Sequence, residues 1–242
     1  MPEFLFAIAL SALPVVSNFL GAMIAEALPL SKQTLGLALH AAAGVLLAIA
    51  STELLPRVVV AKPVWATILA LFLGGAFFVW VNQLFKNHNQ LTGSDRHNIS
   101  WEIFMSMAID LFGDGLMIAT SLTIAPHLGV VLASARVAAH IPEGFVTNAE
   151  FKSQNIPRKE RFLLLAAFII PVWLGATLGY WGLRGQSDLP KLVVLAFTTG
   201  TLIVAIVEEI IPQAHQTQDT NLSTLTFIGS FALSMLFSSY LE

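Results

Sequence analysis

Apolar residues in this chain come in long blocks separated by short polar breaks, and no other feature limits its fold as tightly. A helix that crosses a bilayer needs about 20 mostly apolar residues. Eight blocks meet that length: 4–28, 34–55, 64–85, 101–125, 128–150, 162–183, 191–212 and 222–241. Only 11% of the 242 residues are charged, against about 25% in soluble domains. This excludes a soluble globular enzyme and a disordered chain. A net charge of -3 offers no field to attract phosphates, so no nucleic-acid partner is expected. The absence of cysteine excludes a disulfide framework and any thiolate metal site.

The first block does not read as a cleavable signal, because Glu3 stands where a basic segment belongs and the apolar run is too long. Residues 1–242 are therefore expected to form a single transmembrane domain. Two breaks are longer than the rest: 86–100, polar with turn residues, and 151–161, which is basic. Lys32, Lys86, Arg96, Lys152, Arg158, Lys159 and Arg161 lie in the loops after odd-numbered spans; only Arg57, Lys62, Arg184 and Lys191 lie after even-numbered ones. Basic loops stay in the cytoplasm. The expected location is the cell membrane, as a multi-pass protein of a bacterial inner membrane, with both termini outside and the lipid bilayer as its surroundings.

The spans repeat. Residues 44–56 (GVLLAIASTELLP) match 200–212 (GTLIVAIVEEIIP) at Gly, Leu, Glu and Pro, with a constant offset of 156. Leu20-Gly21-Ala22 matches Leu174-Gly175-Ala176, and Phe72-Leu73-Gly74 matches Phe227-Ile228-Gly229. Each unit holds three spans, so the second enters the membrane from the opposite side, a common transporter plan. The expected fold is an all-α integral membrane protein of eight transmembrane helices in a 3+2+3 arrangement: a repeat over 4–85, a central pair over 101–150 and an inverted repeat over 162–241.

The central pair carries the charges. An Asp at a helix centre costs roughly 2.5–3.5 kcal/mol, and each Leu, Ile, Phe or Val returns about 0.3–0.6. Asp110 and Asp114 outweigh the apolar residues of their span, so their side must face protein, water or a cation. At helical spacing Ser106, Asp110, Asp114, Met117 and Ser121 share an arc of roughly 80°. Two carboxylates one turn apart repel each other, and a bound cation relieves that repulsion. In the fifth span Arg136, His140, Glu143 and Thr147 share an arc of roughly 60°. Pro142 is expected to interrupt this helix and free the carbonyl of Ala138. Asp110, Asp114, His140 and Glu143 form a candidate divalent-cation site of oxygen ligands and one imidazole. That chemistry suits Zn, Fe(II), Mn or Co, and Mg is not excluded. A proton relay through the Asp pair, or a salt-bridge network neutralised by Arg136, uses the same residues.

On these residues the chain resembles the ZIP (Zrt-, Irt-like protein) family of divalent-metal transporters, over its whole length. Ile141-Pro142-Glu143-Gly144 is similar to the family's fifth-span motif His-Glu-x-Pro-Glu-Gly, and Asp114-Gly115 to the end of its fourth-span motif His-Asn-x-x-Asp-Gly. Residues 200–214 are similar to the seventh span. The departures are specific. Asp110 stands where the family has His, Leu111 where it has Asn, Ala139 at the fifth span's first His position and His140 at the acidic position after it. The sixth-span acid is missing around Ile169-Ile170-Pro171. Family members hold up to two metals side by side; the resemblance implies one here, at Asp110, Asp114 and Glu143 with His140 nearby. Arg136 either supplies the charge of the missing second cation or pairs with a carboxylate elsewhere.

Further acids close two spans: Glu53, and Glu208 with Glu209. They are expected at a pathway mouth or as interfacial acids in water. His215 is a candidate entry or exit ligand, whereas His40, His88, His97 and His127 are expected to be interfacial or solvated. The divalent metal ion is thus the expected substrate, moved inward by alternating access, with no catalytic residue and no phosphate-cradling motif for ATP. Two alternatives stay open. One is a degenerate family member that binds metal or regulates without transport. The other is an intramembrane metal-dependent hydrolase, for which Glu208-Glu209 lacks the Arg four residues on, Gln213 standing there. Small residues such as Gly21, Ala22, Gly74, Gly75 and Gly229 permit close helix packing or a homodimer.

Overall fold

A computed structural model describes residues 2–28, 31–92, 96–215 and 221–241, with the backbone alone for 85–92, 96–100, 102 and 240–241. The described residues are helical with no strand. We number the helical rods α1 (Pro2–Ala27), α2 (Lys32–Val60), α3 (Val64–Thr92), α4 (Arg96–Ile124), α5 (Pro126–Ser153), α6 (Arg158–Leu183), α7 (Asp188–His215) and α8 (Asn221–Leu241). All of them except α5 contain a stretch long and apolar enough to cross a membrane. Helix α5, at 28 residues, is long enough, but Arg136, His140 and Glu143 lower its hydropathy. The expectation of eight apolar crossings therefore holds for seven helices on apolarity.

The irregularities of the rods follow from proline. A proline has no N–H to donate one turn back. Helix α1 breaks at Ala12, ahead of Pro14, and α6 breaks at Phe168, ahead of Pro171. Ahead of Pro56 and Pro212 the chain adopts π turns, Ala50–Leu54 and Ile206–Ile210, in which Leu55 N–H donates to Ala50 O and Ile211 N–H to Ile206 O. These turns coincide with the repeat read in the sequence and share its offset. Pro142 behaves differently from expectation: α5 runs unbroken from Pro126 to Ser153. Helix α1 packs against α5 on both sides of Pro142, at Ile141 and at Gly144. The break at 86–100 is also shorter than expected, since α3 continues to Thr92 and α4 begins at Arg96. No Pro or Gly interrupts the polar residues before Gly93, so the helical turn continues past the apolar part.

Helix pairs meet through glycine. A Cβ on Gly21 of α1 would lie 1.9 Å from Ile141 O of α5, and one on Gly144 of α5 would lie 1.9 Å from Asn18 O of α1. The same arrangement joins the second pair: Gly175 of α6 meets Phe112 O of α4 at 2.1 Å, and Gly115 of α4 meets Val172 O of α6 at 2.0 Å. Helix α2 packs on α8 and α3 on α7. The Phe-x-Gly match is not shared in environment: Gly74 abuts Phe197 O, whereas Gly229 has open space beside it. One apolar core joins α2, α4, α5 and α7 around Leu46, Met117, Leu132 and Leu202. A second joins α1, α4, α5 and α6 around Val15, Leu111, Phe151 and Phe168. Helices α4 and α5 belong to both and stand side by side.

These contacts leave no room for a methyl group. Gly144→Ala should force α1 and α5 apart and cost about 1–3 kcal/mol, read as a lower midpoint in detergent unfolding. Gly113→Ala, on the same helix as Gly115 but with nothing within 4 Å, should be neutral or mildly stabilising.

Candidate functional site

Where α4 and α5 face each other, the two polar faces read in the sequence meet. Helix α4 presents Asp110 and Asp114 on successive turns; α5 presents Arg136, His140 and Glu143. Arg136 is 2% exposed and His140 fully buried. The guanidinium bridges the two aspartates: Arg136 Nη2 donates to Asp110 Oδ2 at 2.7 Å, and Arg136 Nε lies 2.5 Å from Asp114 Oδ1. His140 Nε2 is 2.6 Å from Asp114 Oδ2 and 3.8 Å from Asp110 Oδ2, and its Nδ1 is 2.7 Å from Glu143 Oε2. Arg136 Nε, His140 Nδ1 and Glu143 Oε2 are buried without a well-directed hydrogen bond. Their short contacts are held by charge rather than by aligned donors and acceptors.

Asp110, Asp114 and His140 each offer a ligand atom, all within 4.8 Å of one another. Oxygen and nitrogen ligands sit about 2.0–2.2 Å from a zinc ion, so these atoms need to move little to share one. Three carboxylates against one guanidinium leave the cluster two charges short of neutrality when His140 is neutral, the charge of one dication.

Asp110, Arg136 and Glu143 of this cluster line a cavity of about 320 Å³, while Asp114 and His140 are not among its walls. Its walls come from the C-terminal part of α3 (Asn82), the N-terminal half of α4 (Ser106, Met107, Asp110), the middle and C-terminal part of α5 (Arg136, Glu143, Thr147, Glu150) and the end of α7 (Glu208, Glu209, Gln213). Asn82 Nδ2 donates to Glu209 Oε1 at 3.1 Å. Ser106, Thr147, Glu208 and Glu209 line this cavity. Met117 does not: it is buried in a separate, mainly apolar cavity of about 150 Å³ between α3, α4 and α7, which also reaches Asp110, Asp114 and Arg136.

Three expectations need correction. Glu53 is neither at a mouth nor in water; it is 5% exposed, 3.9 Å from Arg57 Nη2, and lines no part of the acidic cavity. The π turn at Ala50–Leu54 carries it inward. His215 is also off the cavity, turned toward α2, where its ring lies 5.2 Å from that of His40. His40 is consequently buried rather than solvated, with Nδ1 2.8 Å from Gly36 O. His127 is exposed as expected, and the side chains of His88 and His97 lie outside the described residues.

Sequence reading missed a second polar assembly at the end where the acidic cavity opens. Asn148 Nδ2 donates to Ala22 O at 3.0 Å and to Glu26 Oε1 at 3.2 Å. Arg161 Nε donates to Asn148 Oδ1 at 3.1 Å, its Nη1 donates to Ile156 O, and its Nη2 pairs with Glu26. This clamp ties the end of α1 to the end of α5 and the start of α6. No motif in the sequence marked Asn148 or Glu26; Arg161, counted among loop charges, is buried.

Comparison of the chain with protein-family models and with curated proteins finds no match.

Removing one partner from a buried ion pair leaves a stranded charge, at a cost of about 3–5 kcal/mol. Asp114→Ala should therefore lower the unfolding midpoint in a detergent titration sharply, since it strands both Arg136 Nε and His140 Nε2. Adding Arg136→Leu should recover little of the loss, because it strands Asp110, the other carboxylate that the guanidinium holds.

Proposed function

We propose that this chain is a membrane transporter of divalent transition-metal ions, a divergent relative of the ZIP family with an altered metal site. The substrate is Zn, Fe(II), Mn or Co, with Mg within reach of the same oxygens. The observation that carries this reading is the convergence of Asp110, Asp114 and His140 next to an acidic cavity lined by Asp110, Arg136 and Glu143. Ionisable groups gathered between membrane-length helices mark ion pathways. In the proposed path Glu208 and Glu209 attract the cation at the cavity wall and the α4–α5 cluster binds it.

The arrangement we propose is the eight-helix 3+2+3 plan with inverted repeats. It is supported by the paired π turns and by the exchange of partners: α1 meets α5 as α6 meets α4, and α2 meets α8 as α7 meets α3. A two-fold operation that swaps the repeats also swaps α4 with α5 and sets Asp114-Gly115 on Glu143-Gly144. It sets Glu209, on the cavity wall, on Glu53, which is buried at the opposite end. With the basic odd loops in the cytoplasm, the acidic cavity opens inward and Glu53 belongs to the closed outer path. Alternating access then exchanges the environments of the two glutamates.

One observation favours a second reading, in which the chain binds metal or regulates without carrying it. Arg136 already spans both aspartates. Vesicle uptake separates the two. The purified chain in proteoliposomes should take up Zn²⁺ or Mn²⁺, and Glu143→Ala should reduce entry by about ten-fold or more with insertion unchanged. Binding by calorimetry without entry supports the regulator; equal entry by both forms removes Glu143 from the path. Competition among Zn, Fe(II), Mn, Co, Cd and Mg then identifies the substrate.

A further inference from the structure

We propose that Arg136 is a tethered counter-cation: it leaves Asp110 and Asp114 when a metal ion binds and returns when the ion departs, which lets the carrier reorient empty. The inference rests on the reading of the α4–α5 cluster as a metal site.

Competition follows from shared atoms. Asp110 Oδ2, the oxygen 3.8 Å from His140 Nε2, is also the acceptor for Arg136 Nη2 at 2.7 Å. An ion held jointly by His140 and Asp110 therefore takes the oxygen that the guanidinium holds. Arg136 Nε is 2.5 Å from Asp114 Oδ1, yet makes no well-directed hydrogen bond. The guanidinium is thus fastened by charge on that side, and a second cation substitutes for charge.

The side chain also has somewhere to go. Arg136 lines the acidic cavity, and α7 places Glu208 and Glu209 on the walls of the same cavity. The vacated carboxylates pass to the metal while the guanidinium stays among acids.

The return step explains why the charge is built in. With the metal gone and no guanidinium, Asp110, Asp114 and Glu143 would carry three negative charges; the guanidinium cancels one of them, and each uncompensated charge makes movement through a low-dielectric interior less favourable. A carrier lacking the tether reorients only when loaded. It swaps metal for metal and fails to accumulate it.

The test compares two protocols on proteoliposomes of the full chain with ⁶⁵Zn²⁺. Net entry is measured into vesicles free of metal, and exchange into vesicles preloaded with unlabelled Zn²⁺. Arg136→Gln should lose net entry by about ten-fold or more while keeping exchange within about three-fold of the unmodified chain. Its Zn²⁺ affinity by calorimetry should rise by about ten-fold, because a competing charge is gone. If net entry and exchange fall together in a variant that still binds Zn²⁺, or net entry is unchanged, the tether is refuted. If Glu143→Ala carries Zn²⁺ as well as the unmodified chain does, the metal-site reading fails instead, and the tether with it. A second measurement needs no variant. Phenylglyoxal modifies accessible guanidinium groups, and mass spectrometry reads it at the Arg136 peptide. Zn²⁺ should raise labelling of Arg136 by about three-fold or more; unchanged labelling or protection by Zn²⁺ overturns the proposal even if Arg136→Gln fails to fold.

Discussion

The compensation of buried charge between α4 and α5 governs this structure. Asp110 and Asp114 on one helix would repel each other and resist insertion. Arg136 and His140 on the next helix meet them at 2.5–2.7 Å. Neither helix is tolerable alone in hydrocarbon: α5 falls short of a membrane-crossing apolarity because of the residues that satisfy α4. The two must therefore be shielded from lipid by the rest of the chain, and the other six helices do that.

Shielding sets the packing. Helix α1 covers α5 and α6 covers α4, each through a reciprocal pair of glycine contacts near 2 Å from an ideal Cβ to a backbone oxygen. With no hydrophobic force between helices in lipid, such close approach is what dispersion requires. On the other side α2 and α7 complete the cover, and the π turns before Pro56 and Pro212 set which way their glutamates point. Glu209 is turned to the cavity and Glu53 into the protein. The outcome is a bundle with an acidic cavity beside one side of its charge cluster. The buried Glu26–Asn148–Arg161 clamp secures that same side across α1, α5 and α6.

Particular residues show how much was legible beforehand. Helical spacing was sufficient to place Asp110 with Asp114, and Arg136 with His140 and Glu143, because side chains three or four positions apart share a face in any helix. It also separated Ser106 and Thr147 from the lipid-facing residues. It failed for Met117, which shares the arc but lies deeper, against α3 and α7. Glu53 and His215 were read only from their place near the ends of spans, which does not say which neighbouring helix their side chains meet. Spacing passed over Arg161 because a charge near a loop reads as solvated until a partner such as Glu26 arrives from another helix.

The amino-acid sequence by itself determined that this chain is helical and built for a membrane, since apolar runs of that length admit few other solutions. It also determined that its fourth and fifth spans carry faces unfit for lipid. Both follow from local spacing and transfer free energy, which act within one helix. Only the tertiary structure decided that Arg136 lies across both aspartates, that His140 sits between Asp114 and Glu143, and that the cavity opens beside Glu208 and Glu209 rather than Glu53. Those outcomes depend on the rotation and depth of one helix against another, and glycine contacts and proline-induced π turns set both over distances that no single span encodes.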